Sequence, residues 1–246
     1  MLSPDKKNMH MPLLVMFIFL CSACRAQENP DRSQSAIDPV ILCFHTAKID
    51  LTVLGTIGAA HARNPQFSWV FFNKLLQQSS PELLLVQIRP EHLNKNELFD
   101  GAPEMAYLAY IAGKMKIECR GFDWWLDAQV VHWDLVSPDV RMSYMYKNIR
   151  SALASAQAQM IILAVEISLV EPLRTYLAQD GFREWSCPQG QIVLTNYPDL
   201  PAEILDVFRD GVAYLASLPY GGAAPIQRKI KDLNDIIRGK GYLFKR

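Results

Sequence analysis

Near-continuous apolar runs alternating with helix-periodic stretches constrain this chain most. Leu83 to Ile88 and Met160 to Val165 are four- to eight-residue hydrophobic runs of the kind found in strands buried on both faces. Such strands need helices over each face, and the intervening segments supply them. From Pro65 to Gln78, Phe67, Val70, Phe71, Leu75 and Leu76 recur at helical spacing. Pro103 to Met115 carries proline in its first turn, where a missing N–H does no harm. Pro138 to Ala158 reads as a longer helix, and Glu171 to Gln179 as another, stopped by Asp180-Gly181. Shorter runs at Val40 to Phe44, Leu51 to Ile57 and Ile117 to Phe122 complete the strands. This order predicts an α/β fold, a single domain with a central, mainly parallel β-sheet flanked by helices.

Two further segments follow. Phe182 to Ser186 and Gln191 to Thr195, joined through Pro188-Gln189-Gly190, read as a terminal hairpin. Glu203 to Ser217 and Ile226 to Gly239, separated by the break Tyr220 to Pro225, form a helical C-terminal extension. The last helix is basic, which reads most simply as a solvated face, with a membrane-surface role as the alternative. The predicted organisation is a signal peptide over 1–24, a tether over 25–38, the α/β domain over 39–200 and the extension over 201–246.

The signal is read from its parts. Lys6 and Lys7 precede an uncharged apolar stretch from Met11 to Leu20, and Cys21-Ser22-Ala23-Cys24 follows. A stretch of about ten residues is too short to cross a bilayer, which takes roughly 20. Leu20 to Cys24 resembles a bacterial lipobox, in which the new N-terminal cysteine is acylated; here that residue is Cys24. Cleavage near Ala26 is the alternative, giving a periplasmic or secreted protein. Gln27 to Ser35 is polar and contains Pro30, as a flexible tether would. The chain is therefore expected in the cell envelope, held to a membrane by an N-terminal lipid.

Half of the residues are apolar and the formal net charge is zero, so no basic surface suggests nucleic acid. Outside the signal the cysteines are Cys43, Cys119 and Cys187, widely spaced and without a CxxC pair. Thiolate zinc ligation is not expected. Cys43 and Cys119 fall in strand-like runs and read as buried free thiols, with one disulfide possible in an oxidising compartment.

Ligands of α/β sheets gather at the carboxyl ends of strands. Candidate residues there are His61 after the second strand, Gln87, Arg89 and Glu91 after the third, Asp123 and Trp124 after the fourth, and Glu166 after the fifth. His61 is either functional or a loop hydrogen-bonding group. Arg89 would hold an anion, or pair with Glu91 or Asp123. Asp123 is a ligand contact, and Trp124 and Trp125 a ligand contact or aromatic core. Glu104 near a helix N-terminus is favoured by the helix dipole. His45, His92 and His132 have no partner spacing. No G-x-S-x-G elbow, HExxH, P-loop or GxGxxG is present.

A resemblance becomes visible in the order of motifs. Leu54-Gly55-Thr56 precedes a glycine/histidine turn, a helix and Pro81-Glu82-Leu83-Leu84-Leu85-Val86-Gln87-Ile88-Arg89-Pro90-Glu91. Then come Asp100-Gly101-Ala102-Pro103-Glu104-Met105, Gly121-Phe122-Asp123-Trp124-Trp125, Met145-Tyr146-Lys147-Asn148-Ile149 and Asp180-Gly181-Phe182. Over roughly residues 50 to 185 this resembles the TraB/PrgY–Tiki superfamily, which takes in GumN-type proteins and more distantly ChaN and the erythromycin esterases. The resemblance implies a fold of two related halves, each with a GxxH element. It also implies hydrolytic, often metal-linked chemistry using both histidines and a glutamate at a strand end.

Carried over by position, that set is incomplete. The first GxxH reads Gly55-Thr56-Ile57-Gly58, with a shifted copy, Gly58-Ala59-Ala60-His61, three residues on. The glutamate position holds Gln87, and the second GxxH falls on Ala164-Val165-Glu166-Ile167. A catalytic divalent metal generally takes about three His or carboxylate ligands, and a neutral amide is neither a strong ligand nor a base near neutral pH. The expectation is a pseudoenzyme with no metal or other cofactor, binding a small molecule or peptide. The alternative is an active hydrolase of protease or esterase type with a rearranged site, His61 serving as base or ligand with Asp123, Glu91 or Glu166, and a divalent metal as its possible cofactor.

Overall fold

The computed structural model describes residues 40–62, 68–124, 137–187, 200–219 and 221–239. Cys24, the signal, the tether and the second strand of the expected hairpin lie outside them. The strands are β1 (Val40–His45), β2 (Asp50–Thr56), β3 (Leu83–Val86), β4 (Glu118–Gly121), β5 (Met160–Glu166) and β6 (Arg183–Trp185). The helices are α1 (Trp69–Ser79), α2 (Pro90–Asn94), α3 (Pro103–Met115), α4 (Pro138–Ser155), α5 (Val170–Gln179), α6 (Ala202–Ser217) and α7 (Ala224–Ile237).

The six strands form one sheet in the order β4-β3-β5-β2-β1-β6. Strands β4, β3, β5 and β2 are mutually parallel, while β1 runs antiparallel to both β2 and β6. The chain winds twice. From β2 it passes through α1 to β3 and on through α2 and α3 to β4, then returns through α4 to β5, which inserts between β3 and β2. This reversal creates a switch point at the carboxyl ends of β2, β5 and β3, where such sheets open to ligands.

The inner strands are hydrophobic on both faces because both faces are covered. Leu84, Val86, Ile162, Ala164 and Leu54 point into a core shared with α1, α3, α6 and α7. Their chain neighbours Leu83, Leu85, Ile161, Leu163 and Val165 point into a second core under α4 and α5. This period-two division of an unbroken apolar run is what a parallel sheet demands. The edge strand β6 is exposed along its length, which fits its mixed composition.

The C-terminal helices belong to the same compact unit as the sheet. Ile204, Phe208 and Leu215 of α6, with Ile226, Leu233 and Ile236 of α7, join the core of the first face. The apolar stripe of α7 is therefore covered by protein, as an amphipathic helix in a globular domain should be.

Two local results, at the end of β3 and at Cys43, differ from the sequence-based expectations. The apolar run beginning at Leu83 leaves the ladder after Val86, because Ile88 N–H turns back to the Val86 carbonyl and Pro90 opens the short helix α2. Among the described residues β6 pairs with β1, and the second strand of the expected hairpin lies outside them. Cys43, expected as a free thiol, forms a disulfide with Cys187, their Cα atoms 5.2 Å apart. The β1–β6 ladder causes this: it sets Cys43 opposite Trp185, two residues from Cys187, a juxtaposition of positions 144 apart in sequence. Cys119 remains a free thiol, and burial pushes its pKa up to about 12.

Candidate functional site

The carboxyl end of β2 begins the site. After Thr56 the chain enters a short 3-10 turn (Gly58–Ala62) at Gly58, whose φ of 63° suits glycine. The Gly58 N–H donates to Glu104 Oε1 at 3.1 Å, so the turn sits over the start of α3. His61 closes the turn. Its Nε2 accepts the Ile57 N–H at 2.9 Å, and its ring packs edge-on against Phe72 at 4.7 Å. His61 is buried, and its Nε2 lone pair is spent on the backbone of its own loop.

Glu104 is the deepest acid of the site, only 1% exposed. One oxygen takes the Gly58 N–H, while Oε2 has no hydrogen-bond partner among the described residues. Burial raises its carboxyl to about 7, against the lowering pull of its own N–H, the Thr56 hydroxyl and the Gly58 N–H; the charge of Glu166 adds to the rise. At neutral pH Glu104 is poised between its two protonation states.

Gln87, the first residue after β3, accepts the Glu166 N–H through Oε1 at 2.8 Å, tying the ends of β3 and β5 together. The Glu166 side chain, 42% exposed, lies at the rim, with Oε2 3.7 Å from Arg141 Nη1. Arg141 comes from the first turn of α4, and its Nη2 reaches both oxygens of Asp123 at 3.0 Å. The Trp124 N–H donates to Asp123 Oδ1 at 2.8 Å. Burial pushes the Asp123 carboxyl up, opposed by Arg141 and that N–H.

Arg89 is locked by Asp100. Its backbone N–H donates to Oδ2 at 2.9 Å, and Nε and Nη2 donate to Oδ1 at 3.0 and 2.8 Å. The anticipated partners are not used in this way: Glu91 is 59% exposed and its carboxylate 3.9 Å from Nε, and Asp123 is held by Arg141. Gly121 makes this packing possible, because a Cβ there would run into the Ile88 carbonyl.

Lys229 completes the cluster from α7. Its Nζ donates to the Asp100 carbonyl at 3.2 Å, and its ammonium feels the charges of Asp100, Asp123, Glu104 and Arg141. Burial lowers its pKa, opposed by those carboxylates. The expectation of a fully solvated basic face on this helix is thus corrected: Arg228, Lys231 and Arg238 are exposed, and Lys229 turns inward. The side chain follows the apolar stripe, since Ile226 and Leu233 flank it at helical spacing.

Beside the Asp123–Arg141 pair, Trp124 stacks on Tyr144 with ring centroids 4.0 Å apart and planes at 13°. Lys147 Nζ lies 5.0 Å from the Tyr144 centroid. Trp125 lies outside the described residues. An open groove of about 810 Å³ lies instead at the amino ends of β2 and β5, lined by Lys48, Asp50, Arg150 and Asp180 among others. There Asp180 is taken by Tyr146 Oη at 2.9 Å and Arg150 Nε at 3.2 Å, and the groove lies opposite to where α/β sheets collect ligands.

The sequence-selected His61, Gln87, Arg89, Glu104, Asp123, Trp124 and Glu166 therefore gather at one end of the sheet, with Glu91 at its margin. Sequence reasoning misses Asp100, Arg141 and Lys229. Asp100 belongs to the Asp100-to-Met105 motif, which offers a signal, whereas nothing in the local sequence of Arg141 or Lys229 points to the strand ends. Among the described residues no group of three or more His, Cys, Asp and Glu side chains is placed to hold a metal ion.

No family model, curated protein or solved structure matches this chain.

Proposed function

We propose that this is an exported, lipid-anchored envelope protein of TraB/Tiki-like descent that has given up metal-dependent hydrolysis and binds a ligand at the carboxyl ends of its sheet. The observation that carries the reading is Glu104: a carboxyl buried at the switch point with one oxygen unpartnered among the described residues. A buried polar atom without a partner costs roughly 1–3 kcal/mol, so a fold retains one where something else satisfies it.

Loss of hydrolysis is supported by how the family-like positions are used. Gln87 spends its amide oxygen on Glu166 N–H, His61 spends Nε2 on Ile57 N–H, and Ile167 has no ligating atom. These residues do not fit a three-ligand metal site. Export is supported by the signal-like N-terminus and by the Cys43–Cys187 disulfide, a bond that persists in oxidising compartments.

The second reading, a rearranged hydrolase, is favoured by one observation: a carboxyl at about 7 is suited to moving a proton at neutral pH. In that reading Glu104 joins His61 and Asp123 as the reacting set.

The experiment is a thermal-shift screen of the full chain with pooled metabolites and peptides, paired with metal analysis. A saturable rise in Tm that disappears in Glu104→Gln supports binding. Stoichiometric zinc, manganese or iron, lost together with a hydrolytic activity in His61→Ala, overturns it in favour of the hydrolase. Mass spectrometry of the N-terminus tests the anchor: an unmodified N-terminus near Gln27 refutes acylation of Cys24.

A further inference from the structure

Strand β6 has little of its own to hold it on the sheet. It is three residues long, its ladder is to β1, and Arg183, Glu184 and Trp185 are all exposed. Phe182 before it packs on the second core, and Leu200 is buried in the first. Among the described residues between those two anchors, none is buried. A ladder hydrogen bond returns little more than the ordering of a residue costs, so a strand this short needs buried side chains or another fastening.

The side-chain contacts of β6 are weak ones. Glu184 pairs with Arg174 of α5 at 2.6 Å, but the two side chains are 34% and 45% exposed, and a solvated pair adds little. The rings of Trp185 and His45 lie 6.3 Å apart and tilted, with Trp185 itself exposed. The strong fastening is the Cys43–Cys187 disulfide, two residues past the end of the strand. The ladder places the two sulfurs, and their bond in turn holds the ladder.

The two ends of that bond are unequal. Cys43 is buried in the middle of β1, which pairs with β2 along its whole length and keeps Phe44 in the second core. Cys187 is half-buried, and its sulfur otherwise meets only the Ile41 carbonyl, at 3.8 Å, among the described residues. Breaking the bond therefore frees the Cys187 end and leaves β1 where it is. Departure of β6 bares the outer edge of β1, a row of main-chain donors and acceptors.

We propose that Cys43–Cys187 is a redox latch: a dithiol reductant opens it in the folded protein, and β6 then leaves the sheet while β1 to β5 stay paired. A thiolate of the reductant attacks Sγ of Cys187, the more exposed of the two cysteines, and Cys43 leaves as a thiolate that takes up a proton. The second thiol of the reductant attacks the mixed disulfide, releasing Cys187 as a thiol and closing the reductant's own disulfide. Two electrons and two protons pass to the protein. Cys119 takes no part, since β4 stands at the opposite edge of the sheet.

Hydrogen-exchange mass spectrometry of the full chain, before and after dithiothreitol in native buffer, tests the latch, with alkylation reporting that Cys43 and Cys187 are free. Peptides covering 183–186 and the outward amides of β1 are expected to exchange at least about tenfold faster after reduction, while peptides of β2, β3 and β5 keep their rates. The Cys43→Ser, Cys187→Ser double variant is expected to show the released pattern without reductant and no further change with it. If that variant fails to fold, the reduced parent carries the test. Four results overturn the proposal: β6 equally protected after reduction, β6 unprotected before it, protection lost across the whole sheet, or a disulfide that dithiothreitol opens only in denaturant.

Discussion

Replacing Glu104 by glutamine removes one titration and leaves the shape of the side chain. In the folded protein the Glu104 carboxyl stands at about 7, against 4.5 for the free group. Each tenfold change in proton affinity corresponds to roughly 1.4 kcal/mol, so this difference amounts to about 3 kcal/mol. The sign follows from which state holds the proton. Below about pH 4.5 the group is protonated in both folded and unfolded chains, and no penalty exists. Between about 4.5 and 7 the unfolded chain releases the proton while the folded chain keeps it, so stability falls as pH rises. Above about 7 both are ionised and the full loss remains. Glutamine can accept the Gly58 N–H through its amide oxygen and carries no charge into the core. The difference in unfolding free energy between Glu104→Gln and the parent is therefore expected to grow by about 3 kcal/mol in favour of the variant from about pH 4.5 to pH 8. Denaturant unfolding at several pH values across that range measures it, read as the variant-minus-parent difference so that other titrating groups cancel. A difference that stays flat refutes the expectation. It would mean that the carboxyl ionises at its ordinary value in the fold, either hydrated or neutralised by Lys229.

The remaining expectations concern the parts that hold the site. Asp100→Asn leaves Arg89 buried with a neutral partner and is expected to cost about 3 to 5 kcal/mol in denaturant unfolding. Gly121→Ala drives a Cβ into the Ile88 carbonyl and is expected to cost about 1 to 3 kcal/mol; an unchanged unfolding midpoint would show that the β3 and β4 ends can part without penalty. Reduction of Cys43–Cys187, or the Cys43→Ser and Cys187→Ser pair, removes a link across 144 residues and is expected to cost about 2 to 5 kcal/mol, read as a lower Tm. Cys119, whose thiol stands at about 12, is expected to resist alkylation in the native protein at about pH 8 and to react on unfolding.

The helix from Pro103 to Met115 matches its sequence-based bounds because both signals are local: proline in the first turn, and a left-handed Lys116 after the last. The end of β3 falls two residues before its sequence-based limit for the opposite reason. Ile88 is as buried and apolar as the strand before it, and its departure from the ladder is set by a backbone turn with no side-chain mark. The cysteines show the same division. Burial of Cys43 follows from its apolar run, while its pairing depends on where the chain returns after α5.

Alternation of strands and helices around a buried parallel sheet is legible in the order of residues, because hydrophobic period is a property of neighbours along the chain. So is the placing of polar residues such as Gln87, Arg89 and Asp123 at strand ends, since they stand at or just past the close of apolar runs. Their partners are a matter of the folded arrangement alone. Arg89 meets Asp100, Asp123 meets Arg141, and Lys229 arrives from the far end of the chain. Ion pairs are made through space, between elements brought together by burial of their apolar faces. No spacing along the chain encodes which charge will lie opposite which, and so the unpartnered oxygen of Glu104 becomes visible only when its neighbours are in place.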